Sequence, residues 1–280
     1  MERLMEMVKT KLTALALLLL VLPSCGPRFE WRKHVMDGHR TGVTAVAGYD
    51  YNAALGRVDS VYTAPNGRVF DCGATPAVAK LLLDVQPDMA YLKEILAHSS
   101  AEMRTGRPES DLGNWSADAL KVAAESIFGY PVDMSIINLG GIRVTMPEGE
   151  VLLDDIVSMF PFKNYICCVS IAGTDIRYIL DFWARRNRPE AISGARFTIR
   201  DGKAADITVA GKALEDERLY KVATVDFLLD GGDSLYVARN ARALDISDVL
   251  VRDWMVPYVR SYGASGVDLE YKTDGRITIE

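Results

Sequence analysis

Three loops in the 280-residue sequence carry side chains suited to holding a flat, polar ligand. "INLGGIRV" (137–144) puts Asn138 at the end of an apolar run, then two glycines, then Arg143. "SMFPFKN" (158–164) sets Phe162 straight after a proline, where a helix should stop and an exposed turn begin. "VDFLLDGGDS" (225–234) presents Phe227, then Gly231-Gly232, then Asp233. Two aromatic rings on turns can clamp a planar base, at about 1–3 kcal/mol per stacking contact. A carboxylate behind a Gly-Gly turn can accept two hydrogen bonds from vicinal hydroxyls such as a ribose diol. The planar fork of Arg143 suits phosphate. Singly, each residue also has a structural role open to it: Phe162 as the cap of a core edge, Asn138 in an Asx turn, Asp233 in ordinary turn chemistry. Their order and spacing together favour a ligand.

The rest of the catalytic inventory is thin. The three histidines are His34, His39 and His98. Asp37-Gly38-His39 has the Asp-x-His spacing that opens many two-metal phosphoesterase sites, but those sites need several more Asp, Asn and His ligands. No later Gly-Asn-His or Gly-His-x-His run supplies them, and no metal site is expected. His98 reads as a surface residue on the polar side of a helix. No Gly-x-x-x-x-Gly-Lys phosphate loop, Gly-x-Gly-x-x-Gly fingerprint, Gly-x-Ser-x-Gly elbow or Cys-x-x-Cys pair is present. Asp154-Asp155 opens a short helix, where acids favour the dipole, and reads as structural.

The elements that must position these loops alternate along the chain. "GVTAVAGY" and "GRVDSVYT" read as strands, followed by a turn at Asn66-Gly67. "TPAVAKLLLDV" and "PDMAYLKEILAHSSAEM" read as helices, the second with Met89, Leu92, Ile95 and Leu96 on one stripe. A helix at "NWSADALKVAAESIFG", a strand at "VDMSIIN", the short helix "LLDDIVSM" and a strand at "YICCVSIAG" follow. "TDIRYILDFWARR" reads as a helix capped by Thr174 and striped by Ile176, Ile179, Leu180 and Trp183. "ARFTIRDG", "ADITVAG" and "LYKVATVDF" read as strands. "DVLVRDWMVPYVRSYG" reads as a helix broken near Pro257, and "LEYKTDGRITIE" as a closing hairpin around Asp274-Gly275. The class is α+β, a single mixed-sheet domain over residues 42–280.

Residues 1–24 have the form of a lipoprotein signal peptide. Arg3, Lys9 and Lys11 precede an uncharged apolar run, Leu12 to Leu22, too short to span a bilayer. Ser24 before Cys25 resembles a lipobox, so Cys25 is expected to carry the lipid, with residues 25–41 as a polar tether; the alternative is plain signal cleavage near the same place without a lipid. The expected place is the cell envelope, membrane-anchored by the lipid and facing the periplasm. A net charge of −6 with no basic run argues against binding nucleic acid. Of the four cysteines, Cys72, Cys167 and Cys168 remain after Cys25. An odd set with two adjacent members makes a disulfide framework a poor reading, and buried, inert thiols are expected.

Taken together, "ESDLGNWSADAL", "INLGGIRVTMPEGEVLLDDIVSMFPFKN" and "VATVDFLLDGGDSL" resemble the C-terminal, substrate-binding domain of the 5′-nucleotidase / UDP-sugar hydrolase family, here in a stand-alone bacterial lipoprotein form. The resemblance implies that Phe162 and Phe227 sandwich the nucleobase and that Asp233 binds the ribose hydroxyls. It implies that Asn138 and Arg143 contact base and phosphate or ribose, and that a further arginine, for which Arg107 is the candidate, faces the phosphate. It also implies a separate N-terminal domain that holds two metal ions and the catalytic residues. The expectation is therefore the nucleotide- or nucleoside-recognising half of a 5′-nucleotidase, with no catalytic residue and no cofactor in this chain. Divalent metal ions and phosphate ester cleavage would come from a separate metallophosphoesterase chain. The alternative is a non-catalytic nucleoside- or nucleotide-binding lipoprotein.

Overall fold

The structure, a computed structural model, describes residues 55–280. The expected signal peptide and tether, Cys25, His34, His39 and the expected strand at 42–49 lie outside the described residues.

In chain order the elements begin with three short strands, β1 (Arg57–Val58), β2 (Tyr62–Thr63) and β3 (Val69–Phe70), and the helix α1 (Thr75–Asp84). Then come β4 (Ile95–Ser99), α2 (Asp111–Phe128), β5 (Met134–Ile137), β6 (Gly149–Leu152), α3 (Leu153–Met159), β7 (Tyr165–Ala172) and α4 (Gly173–Arg186). The remainder is β8 (Ala191–Ser193), β9 (Ala195–Arg200), β10 (Lys203–Val209), β11 (Lys212–Ala213), β12 (Leu219–Val225), β13 (Ala243–Leu250), α5 (Val251–Ser265) and β14 (Ile277–Ile279).

The strands read most clearly from sequence are those buried most completely. All four residues of β5 are buried, as are Ile166–Val169 in β7 and Val222–Val225 in β12. Such continuous apolar runs belong in the middle of a sheet covered on both faces. They form the centre of a five-stranded sheet ordered β13-β7-β12-β5-β8. β12 runs parallel to β5, while β7 runs antiparallel to β12 and β8 antiparallel to β5. This mixture of directions decides the site. The C-terminal ends of β5 and β12 and the N-terminal ends of β7 and β8 all emerge along one edge of the sheet.

α2 lies across β5, β8, β7 and β12. Ser110 caps it by accepting a hydrogen bond from Gly113 N at 3.2 Å. A β-carbon on Gly113 would sit 3.2 Å from Leu139 and 3.3 Å from Ala191, so a glycine there lets the first turn of α2 rest against the ends of β5 and β8. Glu109 accepts from Asn114 Nδ2 at 2.6 Å, Asp274 N at 2.7 Å and Gly275 N at 3.0 Å. Buried Arg276 bonds Asp118 at 2.8 Å, Asp274 at 3.0 Å and the carbonyl of Ile192 at 2.9 Å. The polar residues around "ESDLGNWSADAL" thus lock the end of the chain to α2.

A second sheet, β11-β10-β9-β14, is covered by α4, which buries Ile176, Ile179, Leu180 and Trp183 as its stripe dictates. β4 pairs with β6, and α5 packs on β4, β13 and α3.

Several expectations need correcting. Residues 87–103 do not form one helix: a 3-10 turn, Pro87–Lys93, gives way to β4. Leu92 and Leu96 of the supposed stripe are buried, but Met89 and Ile95 are exposed. Pairing with β6 wins over a helical spacing that fits only half its residues. His98 accordingly stands on a strand, exposed and 3.2 Å from Asp268. "GRVDSVYT" is a hairpin, with Val58 opposite Tyr62.

Thr174 is not a cap; the N-cap position is Ala172. α5 runs unbroken through Pro257, held on both sides of it by buried Val251, Met255 and Val259. The end of the chain is not a hairpin, because β14 pairs in parallel with β9. No sequence pattern marks β13 as a strand, because its first four residues are exposed and show no alternation.

Cys167 and Cys168 are buried free thiols, and burial pushes that of Cys167 up to about 12. Cys72, expected to be buried, is exposed.

Candidate functional site

The three loops leave the same edge of the five-stranded sheet. Asn138 directly follows β5, Phe227 follows β12 by two residues, and Phe162 precedes β7 by three. Val225 at the end of β12 pairs with Ile166 at the start of β7, so the two phenylalanines flank adjacent strand ends. Asp226 ties these ends together: its Oδ1 accepts from Tyr165 N at 3.1 Å and from Phe227 N at 2.8 Å.

Phe162 and Phe227 are 47% and 46% exposed, whereas Phe160, two residues before Phe162, is buried against Trp115. The Phe-Pro-Phe sequence therefore divides its rings between core and surface. A ring cap for the core edge is Phe160; Phe162 stands beyond it.

Asn138 and Asp233, distant in sequence, meet. Asn138 Nδ2 donates to Asp233 Oδ2 at 2.7 Å. Asn138 is buried, and its Oδ1 has no hydrogen-bond partner. A buried amide oxygen left unpaired is uncommon and costly, and a donor from a ligand would satisfy it. Asp233 is held in the left-handed region, φ 50, after Gly231 at φ 100. A non-glycine residue there is strained, and strain of this kind concentrates at ligand sites. Gly232 is required by close approach: a β-carbon would lie 2.0 Å from the Phe227 carbonyl oxygen and 2.7 Å from its ring. The Gly-Gly turn thus folds directly onto Phe227.

Arg143 joins the second pair of loops. Its amide donates to Met159 O at 3.0 Å, and its side chain donates to Gly140 O at 3.0 Å. The guanidinium stands 5.8 Å from the centre of the Phe162 ring, within cation–π reach.

Arg107 connects to the cluster through a residue that sequence reasoning missed. Arg107 donates to Glu190 Oε1 at 2.5 Å and to Pro189 O at 2.9 Å. The other oxygen of Glu190 accepts from Leu139 N at 2.6 Å, the residue after Asn138. Burial pushes the Glu190 carboxyl above the usual carboxylate range, against the opposing pull of the Leu139 amide and Arg107. No motif marks Glu190; only the antiparallel pairing of β8 with β5 brings it here. Asp226 carried a signal, since it stands beside Phe227 in "VDF".

Contacts thus connect Phe162, Arg143, Asn138, Asp233, Phe227 and Arg107 into one cluster. Asp155 serves the backbone instead, accepting from Leu152 N at 2.7 Å, and Asp154 lies 3.3 Å from Lys93. Among the described residues, no group of three or more His, Cys, Asp or Glu side chains is placed to hold a metal ion.

A family model described as the 5′-nucleotidase, C-terminal domain, matches residues 89–239, more than half of the chain. The chain belongs to that family. The three loops and α2 all fall within the matched segment. A 5′-nucleotidase of Vibrio cholerae is 24% identical over 147 residues, 49% of this chain and 26% of that protein. Endonuclease YhcR of Bacillus subtilis is 24% identical over 226 residues, 72% of this chain and 18% of that protein. The chain spans about a quarter or less of the length of these curated relatives.

In structure, a 5′-nucleotidase precursor from Thermus thermophilus superposes with a TM-score of 0.63 at 21% identity, covering 78% of this chain and 45% of that one. The NAD nucleotidase of Haemophilus influenzae gives 0.54 at 14% identity, covering 75% and 42%. These likenesses show that the mixed α and β architecture of a 5′-nucleotidase C-terminal domain is shared.

Proposed function

We propose that this chain is the nucleotide- or nucleoside-recognising half of a 5′-nucleotidase. Phe162 and Phe227 stack on the base, Asp233 accepts from the ribose hydroxyls, and Asn138 Oδ1 takes a ligand hydrogen bond. Arg143 is the exposed arginine on the phosphate side, with Arg107 behind it. The observation that carries the reading is the Asn138–Asp233 contact. It joins two of the three loops at a buried amide whose oxygen is unpaired.

The chemistry is assigned to a separate metallophosphoesterase chain that contributes divalent metal ions and cleaves the phosphate ester. Membership of a family defined by a C-terminal domain is what supports the division between recognition and chemistry. Mixing the purified chain with such a phosphoesterase should raise its turnover of AMP or lower its KM, and the two should co-elute. If rate, KM and elution are all unchanged while the chain still binds nucleoside, it is a capture protein without hydrolysis.

The same proposal places the chain at the membrane, through a lipid on Cys25 after removal of residues 1–24. Cys25→Ser should move it from the membrane fraction to the soluble fraction.

A further inference from the structure

α1 carries an apolar stripe that the fold leaves open. Val78, Leu81, Leu82 and Val85 recur at the i, i+3, i+4, i+7 spacing of one helix face, while Lys80 and Asp84 pair at 2.8 Å on the opposite one. Such a stripe ordinarily packs on a core. Yet no residue of α1 is buried, and Val78, Leu81 and Leu82 are 52%, 63% and 52% exposed. Val78 and Leu82 instead line an apolar cavity of about 410 Å³, with Leu55 and Tyr62 among its other walls. The Tyr62 hydroxyl is spent on the Leu55 carbonyl at 2.9 Å. Met89 and Tyr91, in the turn that follows α1, are exposed as well.

The described chain starts at Leu55, itself a wall of the cavity, and Cys25 stands 30 positions before it. A chain anchored at Cys25 is thus tethered to the bilayer from this face. Residues 55–95 hold four basic and five acidic side chains, so apolar area, not headgroup charge, must carry a contact here.

We infer that the α1 face is a membrane-contact surface, with Val78, Leu81 and Leu82 entering the apolar boundary of a lipid bilayer. The choice of a bilayer rests on the anchored reading above. A stripe of this kind lies in the plane of the interface, and among the described residues no helix is long and apolar enough to cross a membrane. The contact is too small to retain the chain alone. Together with the lipid it fixes which face of the domain meets the membrane.

The test uses Cys72, an exposed thiol two residues before Ala74 of the cavity wall; Cys167 and Cys168 are buried. The 280-residue chain with Cys25→Ser carries no lipid, and a polarity-sensitive dye on Cys72 is followed as phosphatidylcholine vesicles are added. A saturable blue shift, little changed by salt, is expected. Leu81→Asp combined with Leu82→Asp should raise the lipid concentration needed by about tenfold or more. Both leucines are exposed, so the urea midpoint should stay where it is. The apolar run at 12–22 is common to both proteins, so the difference between them reports on α1. No shift at millimolar lipid, or an equal shift in the variant, overturns the inference. A shift that grows with protein concentration and needs no vesicles assigns the face to a second copy of the chain and overturns it too. Failure of the anchored reading shows separately, when the unchanged chain fractionates as soluble protein.

Discussion

Asn138 Nδ2 donates to Asp233 Oδ2 across 2.7 Å, joining the end of β5 to the Gly-Gly loop that follows β12. The contact is possible because β5 and β12 are parallel neighbours whose C-terminal ends leave the sheet together. It also fixes the carboxylate that the proposed function assigns to the ribose.

Removing that carboxylate has a selective consequence. Asp233→Ala is expected to weaken adenosine binding by about 1.5–3 kcal/mol, the range for hydrogen bonds to a charged acceptor. A nucleoside without the diol, 2′,3′-dideoxyadenosine, should bind the unchanged chain and Asp233→Ala alike. Equal losses for both ligands would assign Asp233 to loop structure instead.

The two exposed rings should act on binding and not on folding. Phe162→Ala and Phe227→Ala are each expected to cost about 1–3 kcal/mol of nucleoside affinity. Each ring is about half exposed, so urea unfolding should shift by no more than about 0.5 kcal/mol. Phe160→Ala is the contrast: that ring is buried against Trp115 and its removal should cost about 3–5 kcal/mol of stability.

The polar lock at the end of the chain should show in acid. The Arg276 guanidinium holds the Asp274 carboxyl below its ordinary value. A carboxyl with a lowered folded-state pKa adds stability above its unfolded pKa, about 3.9, and loses it as pH falls through the folded value. Asp274→Asn should therefore be less stable than the unchanged chain at pH 7. The gap should shrink as pH falls below about 3.9 and through the lower folded-state value, as read by urea unfolding at each pH.

A core change far from the loops separates fold from site. Trp183 is buried on α4, which covers β10 and β7. Trp183→Ala is expected to cost about 3–5 kcal/mol in urea unfolding while the folded fraction keeps its adenosine affinity.

Much of this arrangement was legible in the sequence where one element could be read alone. β5, β7 and β12 announced themselves as apolar runs, and α4 by its stripe of Ile176, Ile179, Leu180 and Trp183. The displayed Phe162 was legible because Pro161 stops α3 and begins an exposed turn, although a core-edge cap was an equal reading of that ring taken singly. What failed depended on distant partners. Residues 95–99 have helical spacing but become a strand because β6 is there to pair with, and β14 finds β9 instead of its own neighbour. Glu190 was invisible for the same reason. Its role comes from the pairing of β8 with β5, which sets a carboxylate from residue 190 against Arg107 and Leu139. Local pattern reports burial and turns; it does not report which strand ends share an edge.

The most direct test of the account is a calorimetric titration of the chain with adenosine, alone and as Phe162→Ala. The account predicts saturable binding to the unchanged chain with no partner or metal added, and a loss of about 1–3 kcal/mol in the variant. No heat of binding at millimolar adenosine, or equal affinity in both proteins, would contradict it.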